Sequence, residues 1–161
     1  AEGGDLFPFL QKAFQAVAMA TVSGSALEAK ELGLLRASDV VVFNSHELLY
    51  VAKNEARALF DSGYRPPMPA RSIPVAGDTG TASLCMMLVN MLEGRFISEH
   101  DAEIGRRIAD TLCGGEIERG SAVDEQWLLD LERKHFVALA QMPKTQERIL
   151  HTLKTGKPLR N

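Results

Sequence analysis

Between positions 64 and 78 the chain reads Tyr-Arg-Pro-Pro-Met-Pro-Ala-Arg-Ser-Ile-Pro-Val-Ala-Gly-Asp, and this stretch limits the fold more than any other. It holds Pro66, Pro67, Pro69 and Pro74, four of the seven prolines. Proline fixes φ and lacks an N–H, so such a run builds neither a helix nor a central strand. Residues 64–78 are therefore predicted to be an extended surface linker that parts two helical groups.

The first group lies before the linker. Asp5 can open a helix over residues 6–21, with Pro8 tolerated in its first turn. Leu6, Phe9, Leu10, Ala13, Phe14, Val17 and Ala18 form its apolar stripe. Ser25 and Glu28 make a capping box for a short helix from Ala26 to Leu32, and Gly33 stands where a left-handed C′ residue is needed. Val40, Val41, Val42 and Phe43 predict a brief strand or extended segment. Asn44 or Ser45 caps a helix over residues 45–61, which places Leu48, Ala52, Ala56, Leu59 and Phe60 on one face.

The second group follows. Residues 84–92 are apolar nearly all round, as in a helix buried on several sides or lying at an interface. Ser98 caps a helix over residues 99–113 with Ile104, Ile108 and Leu112 as its stripe, and Gly114-Gly115 ends it. Ser121 with Asp124 marks another start, and Trp127, Leu128, Leu131, Ala138 and Leu139 are its predicted buried face. Pro143 should interrupt and Thr145 restart a last helix, with Gly156 and Pro158 ending it. The fold class is mainly α: six to seven helices in two groups joined by a Pro-rich strap, with at most one very short strand. The division is residues 1–63, 64–78 and 79–161.

Composition narrows the function. A net charge of −3 gives no electrostatic case for nucleic acid. No apolar run is long enough for a membrane span. Cys85 and Cys113 lack metal-ligand spacing, so free thiols in a reducing cytoplasm are expected. The opening Ala1-Glu2-Gly3-Gly4 is loop-like and does not begin with Met, so the chain reads as a piece of a longer polypeptide.

Candidate chemistry is sparse. Glu132-x-x-His135 matches half of a helical di-iron site but has no second copy, so a solvated face is the expectation. His100, Asp101 and Glu103 could cluster around a metal, but they also suit the positive end of a helix. His46 and His151 lack partners in sequence. Gly77-Asp78-Thr79-Gly80-Thr81 could cradle a phosphate, yet it lacks the Walker lysine and reads better as a loop with an N-cap. Cys85 sits in the most apolar run, where a thiol packs as a small hydrophobe. Lys154, Lys157 and Arg160 could bind an anion or form a solvated tail. No metal ligand set and no catalytic residue is assigned.

Two stretches carry a resemblance. "SALEAKELGLL", "DVVVFN" and "HELLYVAKNEARAL" resemble the closing elements of the crotonase (enoyl-CoA hydratase/isomerase) core. The run from Asp124 through "KTGKPLRN" is similar to the C-terminal tail of large bacterial bifunctional β-oxidation proteins, which join a 3-hydroxyacyl-CoA dehydrogenase to an enoyl-CoA hydratase-like region. The resemblance implies a cytoplasmic oxidoreductase parent that uses NAD and an acyl-CoA substrate. Its Rossmann fingerprint and paired glutamates match no position here. It implies a segment without catalysis of its own, serving pocket closure and packing against upstream domains, with Lys157 and Arg160 near CoA phosphates. Cut from those domains, the chain should self-associate. The alternative is an independent all-α protein-interaction domain.

Overall fold

The computed structural model describes residues 5–161, so the opening four-residue phrase lies outside the described residues. The Asp5 carboxylate accepts the Phe7 N–H at 3.1 Å, and α1 (Phe7–Ala18) follows with Pro8 in its first turn. Ser25 accepts the Glu28 N–H at 3.1 Å and starts α2 (Ala26–Glu31). The expected capping box is displaced by one residue: the Glu28 carboxylate accepts from Gly24 at 2.6 Å. Gly33 has φ +79°, as a left-handed helix end requires.

Residues 40–43 are neither helix nor strand. Their neighbourhood is held instead by Lys30, whose ammonium donates to the carbonyls of Ala37 and Asp39 at 3.0 and 2.8 Å. Asn44, rather than Ser45, then caps a single 3-10 turn, Ser45–Glu47, by accepting the His46 N–H. That turn leads into α3 (Leu48–Asp61), which buries none of its residues.

The linker is more ordered than its prolines suggest. β1 (Ile73–Pro74) pairs antiparallel with β2 (Ala122–Val123), in register Ile73 to Val123 and Pro74 to Ala122. Pro74 is tolerated because a two-strand ladder leaves one side of each strand unpaired. The Val75 N–H reaches the Ser121 carbonyl at 3.0 Å, and the Glu125 N–H reaches Ala70 at 2.9 Å. The following helix, α4 (Gly77–Glu93), begins inside the stretch expected to be linker.

α5 (Glu99–Cys113) opens with a full capping box. Ser98 accepts from the Asp101 N–H, and Asp101 accepts from the Ser98 N–H. α6 (Glu125–Ala140) is capped by Asp124, which accepts the Trp127 N–H at 2.8 Å. Pro143 does not interrupt a helix. It is the first residue of α7 (Pro143–Thr155), where its missing N–H costs nothing. The described residues thus form seven α-helices and one two-stranded sheet, as a mainly α fold requires.

Two compact units result. Residues up to Thr21 join Pro69–Asn161 in one, and Val22–Met68 form the other. This grouping differs from the expected division into 1–63, 64–78 and 79–161. The cause is Phe14 of α1, which is buried with Leu84 and Leu88 of α4 and Ala109 and Cys113 of α5. Burying that one ring contributes about 2–3 kcal/mol, enough to hold α1 with helices far along the chain.

The contact between α4 and α5 depends on small residues. α5 buries Ala102, Gly105, Ala109 and Cys113, whereas the predicted stripe of Ile104, Ile108 and Leu112 is only half-buried. A Cβ on Gly105 would lie 2.7 Å from Leu88 Cδ2, so α4 comes closer than an alanine would allow. α4 is not buried on several sides. Leu84 and Leu88 face inward, while Met86 and Val89 are exposed. α6 lies at the edge of the unit and buries no residue fully, and Trp127 stays half-exposed with its indole N–H donating to the Gly114 carbonyl at 2.9 Å.

Candidate functional site

The most organised polar region of the first unit lies where α5 begins, α7 passes and the C-terminal segment returns. Arg148 of α7 is its centre. Its Nη1 donates to Asp101 Oδ1 at 2.7 Å, its Nε to Asn161 Oδ1 at 2.7 Å, and its Nη2 to Ser98 Oγ at 3.4 Å. Asn161 also donates to the Lys144 carbonyl and to Glu147. The "KTGKPLRN" terminus is therefore folded back on α7, and Gly156 at φ +68° makes the reversal.

Burial pushes the Asp101 carboxyl up. The Ser98 N–H, the Arg148 guanidinium and the Ser98 hydroxyl outweigh that and hold it below the usual carboxylate value of 3.8. His100, one residue earlier, is buried and hydrogen-bonded through Nε2 to the Thr145 hydroxyl at 2.9 Å. Burial lowers its pKa first, and the cations Arg148 and Lys144 lower it further. Glu103 turns to Arg107 at 2.7 Å. The three polar residues His100, Asp101 and Glu103 thus have three separate partners. Among the described residues no group of three metal-binding side chains comes together.

The Glu132-x-x-His135 pair separates as well. Glu132 is exposed, but His135 is not on a solvated face. Its Nε2 lies 2.6 Å from Asp110 Oδ2, and its Nδ1 lies 3.4 Å from Arg107 Nη1. Because Arg107 can only donate, Nδ1 is the acceptor and Nε2 carries the proton toward Asp110. This tethers α6 to α5. Sequence periodicity missed it because Asp110 stands 25 positions earlier on a different helix.

The remaining candidates behave as follows. Gly77–Thr81 is the first turn of α4, and the Asp78 N–H is already donated to the Ile117 carbonyl at 2.9 Å. Gly77 runs directly beneath that carbonyl, where a Cβ would meet it. Cys85 and Cys113 are free, and burial raises the pKa of both thiols, which keeps them protonated and unreactive. His46 is exposed and His151 half-buried. Lys154, Lys157 and Arg160 are all exposed, and Arg160 stands at a cavity of about 420 Å³ bounded by the end of α1, α5 and the C-terminal segment. A second cavity, of about 370 Å³, lies between Phe7, Val75, Thr79 and Arg119.

Fold and side chains together define a helical module. Among the described residues the Arg148–Asp101 and His135–Asp110 pairs hold helices to one another, and no metal-binding group of three forms. Over 159 residues the chain is 42% identical to the probable 3-hydroxyacyl-CoA dehydrogenase of Bacillus subtilis (strain 168), a match that takes in 99% of this chain and 20% of that protein. The chain therefore spans about a fifth of the length of the relative it matches. No family model matches the chain, and no solved structure does. No helix among the described residues is long and apolar enough to cross a membrane.

Proposed function

We propose that this chain is the C-terminal helical module of a longer fatty-acid β-oxidation polypeptide that joins a 3-hydroxyacyl-CoA dehydrogenase to an enoyl-CoA hydratase-like region of the crotonase kind. Its part is to close the acyl pocket and to pack domains or subunits together, not to perform chemistry. NAD and the acyl-CoA substrate are held by the rest of that cytoplasmic polypeptide, with Lys157 and Arg160 placed to meet CoA phosphates. The similarity to the Bacillus dehydrogenase over nearly the whole chain supports this reading.

The observation that carries it is α3. Leu48, Leu49, Tyr50, Leu59 and Phe60 are all exposed, Phe60 by 83%. A helix that presents this much apolar surface and buries no residue of its own is built to be covered. The test compares amide hydrogen exchange of α3 in the isolated chain and in the longer polypeptide. Protection of α3 only in the longer form is expected, together with no turnover of crotonyl-CoA or of 3-hydroxyacyl-CoA by the isolated chain. Equal exchange in both forms, or turnover by the chain alone, would overturn the reading.

A further inference from the structure

The proline-rich stretch has a surface that the packing role leaves unused. Every residue from Tyr64 to Ser72 is exposed, Met68 by 77%. Among the described residues no backbone–backbone hydrogen bond involves residues 65–69, and the first tie beyond them is the Ala70 carbonyl, which accepts from Glu125. Such a segment is held open by its own stereochemistry. Pro66, Pro67 and Pro69 have φ fixed at about −65°. Arg65, Pro66 and Met68 each precede a proline, which drives them out of the α region toward extended ψ. None of these residues has positive φ, and no peptide bond among the described residues is cis. These constraints together favour a polyproline II helix, left-handed with about three residues per turn.

That period sorts the side chains onto three edges. Pro66 and Pro69 share one edge, Arg65, Met68 and Arg71 a second, and Pro67 and Ala70 the third. The first two edges make one face, with proline rings beside a methionine and an arginine at each end. No acidic residue occurs between Arg65 and Ser72, so the face carries positive charge alone. Consecutive residues build it, so it needs no fixed arrangement of the two units. Its backbone is extended before any partner arrives, so little conformational entropy is lost on binding.

We propose that residues 65–71 are the ligand of a polyproline-binding groove on another protein. The groove that fits is lined by aromatic rings, which receive the two prolines and the Met68 side chain. Carboxylates at one end of it meet Arg71, which completes a Pro-x-x-Pro-x-Arg sequence from Pro66 onward. Pro67 and Ala70, on the third edge, stay in solvent.

The probe is an SH3 domain that recognises Pro-x-x-Pro-x-Arg peptides, titrated into the isotope-labelled full chain and followed by NMR. Amide signals of Arg65, Met68 and Arg71 should shift and saturate, while those of α4 and α5 stay in place. Pro69→Ala and Arg71→Glu should each weaken binding about tenfold. Added salt should weaken the parent and leave Arg71→Glu nearly unchanged. Pro67→Ala should alter affinity by less than about twofold, because its ring faces away from the groove. All three positions are exposed, and circular dichroism checks that each variant is folded. The longer polypeptide should bind the same domain to within about threefold. Absence of saturable binding, shifts centred outside residues 64–72, Pro67→Ala as damaging as Pro69→Ala, or loss of binding in the longer polypeptide would overturn the proposal.

Discussion

Arg148 reaches 47 positions back along the chain to Asp101, Nη1 to Oδ1 at 2.7 Å, with both side chains largely shielded from solvent. The same guanidinium holds Asn161, so one side chain joins the first turn of α5, the middle of α7 and the end of the chain. A shielded pair of this kind is costly to break on one side, because the remaining charge is stranded. Arg148→Met is expected to destabilise the protein by about 2–3 kcal/mol, read as a lower urea midpoint. Asp101→Asn should cost less, since the amide oxygen still accepts from Arg148. The double variant should fall short of the sum of the two losses. Additive losses would show that the pair is not coupled.

His100 gives the protein a pH dependence of known sign. Its folded pKa lies below the ordinary 6.5, from burial first and then from Arg148 and Lys144, against the smaller opposing pull of Asp101 and Glu103. In the window below 6.5 the unfolded chain therefore binds more protons than the folded one, and stability rises with pH. The contribution is complete above 6.5 and is lost as pH falls through the folded value. Asp101 acts in the same direction but lower, below 3.8, so the two windows separate. Urea unfolding between pH 7 and pH 5 should show a falling midpoint in the parent. His100→Gln, which can still bond Thr145, should flatten that fall. An identical slope in the variant would remove His100 as the cause.

Gly105 sets the spacing of α4 and α5. An added methyl would meet Leu88 Cδ2 at 2.7 Å and Cδ1 at 2.9 Å, so the helices must part or Leu88 must change rotamer. Overpacking of this kind costs about 1–3 kcal/mol, and the better helix propensity of alanine returns about 1 kcal/mol. Gly105→Ala should therefore lose up to about 2 kcal/mol by thermal or urea unfolding. Gly105→Ala combined with Leu88→Ala should lose less than Leu88→Ala alone, because the new methyl then occupies vacated space.

What the sequence made legible was local. Ser25 and Ser98 act as caps, and Gly33 and Gly156 end helices with positive φ, because each depends on neighbours within four positions; the start read from Ser121 with Asp124 falls three residues later, at Asp124 itself. The buried face of α5 was misplaced because periodicity weights large side chains, and Ala102, Gly105 and Ala109 are buried for being small. The grouping of α1 with α4 and α5 was hidden for a related reason. Phe14 satisfies a helical stripe whichever partner receives it, and nothing nearby in sequence names that partner. The candidate site was the least legible part. Arg148 with Asp101, and His135 with Asp110, are pairs made by tertiary approach, and in the sequence each residue looks like an ordinary surface charge on its own helix.

The exposed face of α3 makes a last expectation about the chain in isolation. Leu49 is 73% exposed and Phe60 83%, at the two ends of a helix that buries nothing. Water contact over such a stripe favours its burial against any apolar surface available, including a second copy. Sedimentation of the isolated chain should therefore show mass rising with concentration from micromolar to millimolar. Leu49→Ser with Phe60→Ser should shift that rise to higher concentration, and the fold should be retained because neither side chain supports a core. In the longer polypeptide the same two changes should act elsewhere: they should loosen the packing of α3 and raise its amide exchange toward that of the isolated chain. A monodisperse monomer across the whole range, with the substitutions silent in both settings, would mean that the face is tolerated in water and covers nothing.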